Sequence, residues 1–198
     1  MFHIPANTTL TGSIVQLLPM QPQHFDELTV LAQDARIWQH YVFDGANAAN
    51  FNAALQVGLA EKEKGTQFPF VIYHVADNKL IGGTRYLDIQ PAHRKLEIGW
   101  TWLHPDYWGT PVNLECKLLL LTFAFEQLQA VRVQLKTDEN NIRSRKAIEK
   151  IGGRFEGILR NDMLRENGTH RNSAYYSILD TEWPEAKKQI NALLHPVF

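Results

Sequence analysis

The residues with the clearest chemical potential lie between Glu97 and Asn113. A strand read over Leu96 to Leu103 runs through the loop His104 to Gly109 into a helix from about Val112. That order presents free backbone N–H groups and a positive dipole end to an anion, and phosphate is the natural ligand. The competing reading is a plain strand-to-helix turn in which Gly109 only reverses the chain. No Gly-Lys-Ser/Thr ends the loop and no GxGxxG is present, so the nucleotide signatures built on those glycines are absent. Within the strand, Leu96, Ile98, Trp100 and Trp102 alternate with Glu97, Gly99 and Thr101, which turns the Glu97 carboxylate away from the apolar stripe. It can serve there as a proton acceptor or as a salt-bridged strand carboxylate. His74, His93 and His104 do not fall at a ligand-like spacing with a third partner, so no metal site is expected. Trp100 and Trp102 read as core residues by strand periodicity, and Cys116 as a small buried hydrophobe.

The elements that must position these residues follow from periodicity and turn chemistry. Ser13 to Leu18 reads as a strand, Pro22 to about Ala35 as a helix opened by proline, and Ala48 to Lys64 as a second helix with Phe51, Leu55 and Leu59 on one side. Phe70 to Val75 and Lys79 to Leu87 form a hairpin over Asp77-Asn78. The helix from Val112 extends to about Leu128, and its LLLLTFAF run is apolar nearly all round, which predicts burial. Val131 to Lys136 alternates as a strand. Asn141 to Ile151 is a short amphipathic helix stopped by Gly152-Gly153. Arg154 to Arg165 and His170 to Leu179 turn at Asn167-Gly168, before a terminal helix from about Glu182. Only the middle of this order has βαβα alternation, which predicts an α/β mixed sheet with helices on both faces.

Composition narrows the partners. The 198 residues suit one domain over 1–198, and no repeat or linker divides them. Twenty Lys and Arg against twenty-one Asp and Glu give a formal charge of −1, so no broad basic field supports nucleic-acid or membrane-surface binding. A single cysteine excludes an intrachain disulfide. The N-terminus lacks a basic region followed by an apolar core, so no secretory signal is expected and the cytoplasm is the expected compartment.

The stretch EIGWTWLHPDYWGTPVNLECKLLLLTFAFE, followed by VRVQLKTDENNIRSRKAIEKIGG, resembles the GNAT acetyltransferases, particularly the branch of the ribosomal-protein N-terminal acetyltransferases. The resemblance covers about Ser13 to Trp183 in motif order and spacing. It implies a strongly twisted, mostly antiparallel sheet that splays between the strand ending at Leu103 and the strand beginning at Val131, with acetyl-CoA in the gap. Backbone groups near Trp102 and Leu103 would pair with the pantetheine arm. The loop Trp108, Gly109, Thr110, Val112 and Asn113 would hold the pyrophosphate. Asn141 and Ser144 match the NxxS positions, the first reaching the cofactor arm and the second lying close to the thioester sulfur; the alternative readings are a helix N-cap for Asn141 and a cap or small packing residue for Ser144. Glu97 would be the base, directly or through water, and a β-bulge near Gly99 or Thr101 would change the facing beyond it. Arg143, Arg145 and Lys146 lie where they could meet the 3′-phosphate, or form a solvated basic face.

This chain departs from the pattern at Pro111, which replaces the central glycine of the phosphate loop. Proline donates no N–H, and one lost charge-assisted hydrogen bond is worth roughly 1.5 to 3 kcal/mol. Side chains of Thr110 and Asn113 are candidate replacement donors. The implied activity is acetyl transfer to a primary amine, of a protein N-terminus or a small molecule, in a ternary complex without metal. The alternative is an inert module that binds CoA or a partner with a drifted loop. A homodimer is plausible by resemblance alone.

Overall fold

In the computed structural model, residues 2–195 are described. Eight strands form one sheet in the order β1-β2-β3-β4-β5-β6-β8-β7. They are β1 (Leu10–Thr11), β2 (Val15–Pro19), β3 (Phe68–His74), β4 (Lys79–Gln90), β5 (Lys95–Leu103), β6 (Arg132–Asp138), β7 (Arg154–Leu164) and β8 (His170–Leu179). Only β5 and β6 run parallel; every other neighbour is antiparallel.

Helices cover both faces and divide the core in two. On one side α3 (Val112–Thr122) and α5 (Trp183–Leu194) pack over Ile72, Tyr86, Leu96, Ile98 and Val133, and α4 (Ile142–Lys150) adds Ile148. On the other, α1 (Phe25–Leu31) and α2 (Ala48–Glu63) bury Phe25, Leu28, Phe51 and Leu55 against Val71, Leu80 and Trp102, with Trp38 between them. The turn residues act as their chemistry requires: Asn78 and Gly168 both adopt positive φ, at 53° and 79°, in the two hairpins.

Several expectations need correction. The helix read from Pro22 to Ala35 is a 3-10 turn, Pro22–His24, then α1, which stops at Leu31. Asp34 then caps a separate 3-10 turn by accepting from Arg36 N. The helix expected to reach Leu128 continues past Thr122 as a π-helical turn over Phe123–Gln127. A two-residue strand, β1, lies in the polar N-terminal segment and pairs with β2.

The correction that matters most for chemistry lies in β5. Trp100 takes a left-handed φ of 54°, and the β4–β5 register slips between Gly83 and Arg85. This bulge reverses the alternation. Leu96 and Ile98 pack on the α3 side, whereas Trp100 and Trp102 join the core under α1 and α2. The two tryptophans therefore do not share a face with Leu96 and Ile98.

Candidate active site

The sheet opens where β5 and β6 part. Their parallel register holds for Lys95↔Arg132, Leu96↔Val133 and Glu97↔Gln134, and ends there. From Ile98 onward β5 is paired with β4 alone, up to Gly82↔Leu103. Along this stretch the Thr101 carbonyl accepts from Tyr41 OH at 2.9 Å and the Leu103 carbonyl from Trp108 Nε1 at 3.0 Å. Side-chain donors thus hold carbonyls of β5 where the strand has left β6.

The loop after β5 leads into α3 with Gly109 at φ 74°, a conformation that glycine adopts without strain. Pro111 occupies the N-cap position at φ −65°, and its carbonyl accepts from Glu115 N at 3.0 Å. The amides of Asn113 and Leu114 meet no acceptor among the described residues, which leaves two donors at the positive end of α3. Thr110 is not the free donor that its side chain promised. Its hydroxyl donates to Tyr107 O at 2.7 Å and accepts a long contact from Val112 N at 3.4 Å. Trp108 is half-buried, and the Arg143 guanidinium lies 3.8 Å over its ring, so α4 reaches across to the loop.

On the α4 side, Asn141 Oδ1 accepts from Ser144 N at 3.0 Å, the N-cap bond that its position predicts. The Ser144 hydroxyl makes no hydrogen bond among the described residues, while the Asn141 carbonyl oxygen is committed to the helix. Arg145 is turned inward. Its guanidinium donates to Tyr176 OH at 2.9 Å and to Glu139 O at 3.3 Å, which removes it from the set facing a phosphate. Arg143 and Lys146 remain exposed.

Glu97 closes the root of the opening. It is only 4% exposed, accepts from Gln134 Nε2 at 2.8 Å and lies 3.7 Å from Lys136 Nζ. Burial pushes its pKa up and Asp88 adds to the rise, against the opposing pull of Lys136 and Gln134. A carboxylate in this state takes up a proton at a higher pH than an ordinary one. Gln134 and Lys136 alternate with Val133 and Leu135, which sit in the α3-side core, so Glu97 faces the α1 and α2 side. Tyr175 lies on the same side, its ring 5.6 Å from Lys136 Nζ. Its phenol donates to Asp162 and is pushed up to about 12 by burial, with Asp162 assisting.

A clasp bridges that side, built from residues that sequence reasoning did not single out. Tyr41, Phe43 and Trp38 pack around Trp100, with Phe43 stacked on it at 5.2 Å. The hairpin turn reaches over to the same loop. Glu166 N donates to Val42 O at 3.0 Å, Asp44 N to Glu166 Oε2 at 2.9 Å, and Arg165 donates to Tyr41 O at 3.1 Å while pairing with Asp138. The hydrogen bonds of Glu166 with Val42 and Asp44 and of Arg165 with Tyr41 join segments more than 120 residues apart, and no local motif announces them. Two further buried cations were also missed. Arg85 stacks 3.7 Å from the Trp100 ring, and Lys117 donates to Thr101 Oγ1 at 2.7 Å. For Lys117 a signal existed, a lysine directly before an apolar run in a helix expected to be buried.

Comparison with known proteins gives the family and the fold. The family model described as "Acetyltransferase (GNAT) domain" matches residues 15–154. The chain is 35% identical over 111 residues to "Putative ribosomal N-acetyltransferase YdaF" of Bacillus subtilis (strain 168), covering 56% of this chain and 60% of the relative. It thus spans about three fifths of that curated relative's length. Among solved structures, a GCN5-related N-acetyltransferase from Brucella melitensis superposes with a TM-score of 0.87 at 29% identity, covering 97% of this chain and 87% of that one. RimJ of Mycobacterium smegmatis, solved in complex with CoA-disulfide, shares the fold at a TM-score of 0.76 and 20% identity, over 96% of this chain and 91% of that one. With a parted β5–β6 pair, an open helix N-terminus beside it and the family model spanning most of the sheet, the chain belongs to the GNAT acetyltransferase family.

Proposed function

We propose that this acetyltransferase moves the acetyl group of acetyl-CoA to a primary amine, of a protein N-terminus or a small molecule, by direct attack in a ternary complex. The observation that carries the reading is the parting of β5 from β6 after Glu97, with the free Asn113 and Leu114 amides at the end of the same strand–loop–helix path. The CoA-disulfide in the RimJ complex supports CoA as the ligand of this fold. The name of the B. subtilis relative favours a ribosomal-protein amine as one acceptor.

In this reading the Trp102–Leu103 backbone lies along the pantetheine arm. The loop Trp108–Thr110 and the free amides of Asn113 and Leu114 face the pyrophosphate, beside Val112, whose amide contacts Thr110 Oγ1, and Asn141 and Ser144 face the arm and the sulfur. Tyr41 and Trp108 yield the two β5 carbonyls as the arm enters. Glu97 takes the proton of the attacking amine on the opposite side of the sheet, directly or through water, and its raised pKa makes it a stronger proton acceptor than an ordinary carboxylate.

The test is a calorimetric and thermal-shift titration with acetyl-CoA, using adenosine diphosphate as the phosphate-only control. A ligand at about 100 times its Kd adds roughly 2.7 kcal/mol, which raises the Tm of a chain this long by several degrees. Release of free thiol is then followed with peptides bearing free N-termini and with polyamines. A saturable shift with turnover on one amine class establishes the reading. Binding without turnover on any amine favours an inert CoA-binding module, and absence of binding at millimolar acetyl-CoA overturns both.

A further inference from the structure

α3 carries an ammonium group where its neighbours offer no counter-charge. Lys117 is 7% exposed and has no carboxylate within ion-pair distance among the described residues. Glu115, two residues earlier, is turned to the β1–β2 connection, where it accepts from Ser13, Ile14 and Val15. Beside Lys117, the Cys116 thiol is held neutral by burial, pushed up to about 12. From β4, the buried Tyr86 phenol donates to Leu120 O at 2.6 Å and is likewise kept neutral. The nearest polar atoms form a short chain: Lys117 Nζ donates to Thr101 Oγ1 at 2.7 Å, and Thr101 Oγ1 lies 2.8 Å from Thr84 Oγ1.

Thr101 belongs to the part of β5 that has left β6, directly after the bulge at Trp100, and it is only half-buried. Lys117 stands behind it, closed off from solvent. The ammonium therefore acts on its surroundings through the Thr101 hydroxyl. Glu97 sits three residues before the bulge and faces the other side of the sheet, so the reversal of alternation places a base and a cation-backed hydroxyl on opposite sides of one strand.

We propose that Thr101, backed by Lys117, delivers a proton to the CoA sulfur as the thioester breaks. Resting on the acetyl-CoA reading above, the step runs as follows. The amine nitrogen forms its bond to the carbonyl carbon, the C–S bond breaks, and the electron pair leaves on sulfur. The Thr101 hydroxyl proton passes to sulfur and Lys117 replaces it on Thr101 Oγ1. The amine's own proton leaves to Glu97, and exchange with solvent through Thr101 and Glu97 restores both groups. Lys117 is a positioning residue in this scheme, since it acts through Thr101. Burial lowers its pKa to about 8, which leaves it charged but ready to give up a proton near neutral pH.

The experiment needs no acceptor. Calorimetry first measures CoA binding to the wild type and to Lys117→Met, Lys117→Arg and Thr101→Val. The thiolate absorbance of bound CoA is then followed in the ultraviolet against pH. A cation-backed donor at sulfur lowers the thiolate midpoint below that of free CoA. Lys117→Met and Thr101→Val are each expected to raise the midpoint by about one pH unit, and Lys117→Arg to restore part of the difference. Unchanged midpoints in variants that bind CoA normally would overturn the proposal and leave the acetyl-CoA reading standing. Failure of the wild type to bind CoA would overturn both. An acetyl group found on Lys117 after incubation with acetyl-CoA would also overturn it, because the amine would then be an acceptor. If Lys117→Met does not fold, Thr101→Val, which keeps the shape of the side chain, decides the question alone.

Discussion

The chain buries two glutamates almost equally, and they serve opposite ends. Glu115 on α3 is 6% exposed and accepts four hydrogen bonds, from Ser13 N at 2.9 Å, Ser13 Oγ at 2.8 Å, and Ile14 N and Val15 N at 2.7 Å. Its two oxygens are filled by donors that turn the chain into β2. Glu97 on β5 is 4% exposed, yet it has one amide donor at 2.8 Å and an ammonium at 3.7 Å. Burial alone therefore does not distinguish a site from a joint; the number of donors already spent on the carboxylate does. Glu115 has no capacity left for chemistry, whereas Glu97 keeps lone pairs for an incoming proton.

Removing each carboxylate separates the two roles. Glu115→Ala strands the amides of Ser13, Ile14 and Val15 at the entry to β2, and the expected loss is about 3 to 5 kcal/mol, the cost of breaking a buried charged network. For a chain of this length that lowers the Tm by roughly 10 °C, read by thermal unfolding. Glu97→Gln keeps the shape and a hydrogen-bonding side chain beside Gln134. Turnover is expected to fall about 100- to 1,000-fold with acetyl-CoA affinity within a few fold, which steady-state kinetics and calorimetry check together.

The pH dependence has a definite sign. Glu97 must be ionised to accept a proton, so the wild-type rate falls as pH drops through a range above that of an ordinary carboxylate, and Glu97→Gln lacks that limb. Because its folded pKa is raised, Glu97 contributes stability at low pH that is lost as pH rises from the ordinary carboxylate range through the raised one. Glu97→Gln should therefore be no less stable than the wild type at neutral pH.

What could be read in the sequence was local. The hairpin turns at Asp77-Asn78 and Asn167-Gly168 were legible because Asn78 and Gly168 tolerate positive φ, and the Asn141 cap because its side chain bonds an amide three residues on. The parting of β5 and β6 came from resemblance, since no periodicity marks where a parallel pair ends. Simple alternation puts Trp100 and Trp102 on the face of Leu96 and Ile98, and the bulge that the resemblance implies near Gly99 or Thr101, found here as one left-handed residue at Trp100, undoes that period-two argument. The clasp of Tyr41, Asp44, Arg165 and Glu166 was invisible for another reason: its hydrogen bonds span more than 120 residues and each partner alone is an ordinary loop residue.

Lys117 sharpens the contrast as a third buried charge, this one with neither Glu115's network nor Glu97's neighbouring cation. Its pKa is lowered to about 8 from an ordinary 10.5, so the folded state binds fewer protons than the unfolded chain between those values, and stability rises with pH through that window. Below it the cost is carried in full. Lys117→Met is expected to stabilise the protein at pH 7 by about 1 to 3 kcal/mol, with the gain shrinking by pH 10. Denaturant unfolding at both pH values measures it. A destabilised variant at pH 7 would mean that the Thr101 hydrogen bond outweighs the desolvation of the ammonium.

The smallest effect belongs to the phosphate loop, where Pro111 sets two terms against each other. Glycine there adds one N–H at the end of α3, beside the free amides of Asn113 and Leu114, and a charge-assisted bond to pyrophosphate favours binding. It also frees a residue that proline holds at φ −65°, which costs about 0.4 to 1 kcal/mol through the unfolded chain and loosens the loop before the ligand arrives. Thr110 cannot adjust in compensation without giving up Tyr107 O. The expected outcome of Pro111→Gly is CoA binding tighter by a few fold with a Tm lower by about 2 °C. Calorimetry and thermal unfolding on the same preparation read both. Unchanged affinity with the same loss of Tm would show that the pyrophosphate meets α3 beyond residue 111, at the amides of Asn113 and Leu114, and that proline stiffens this loop without weakening it.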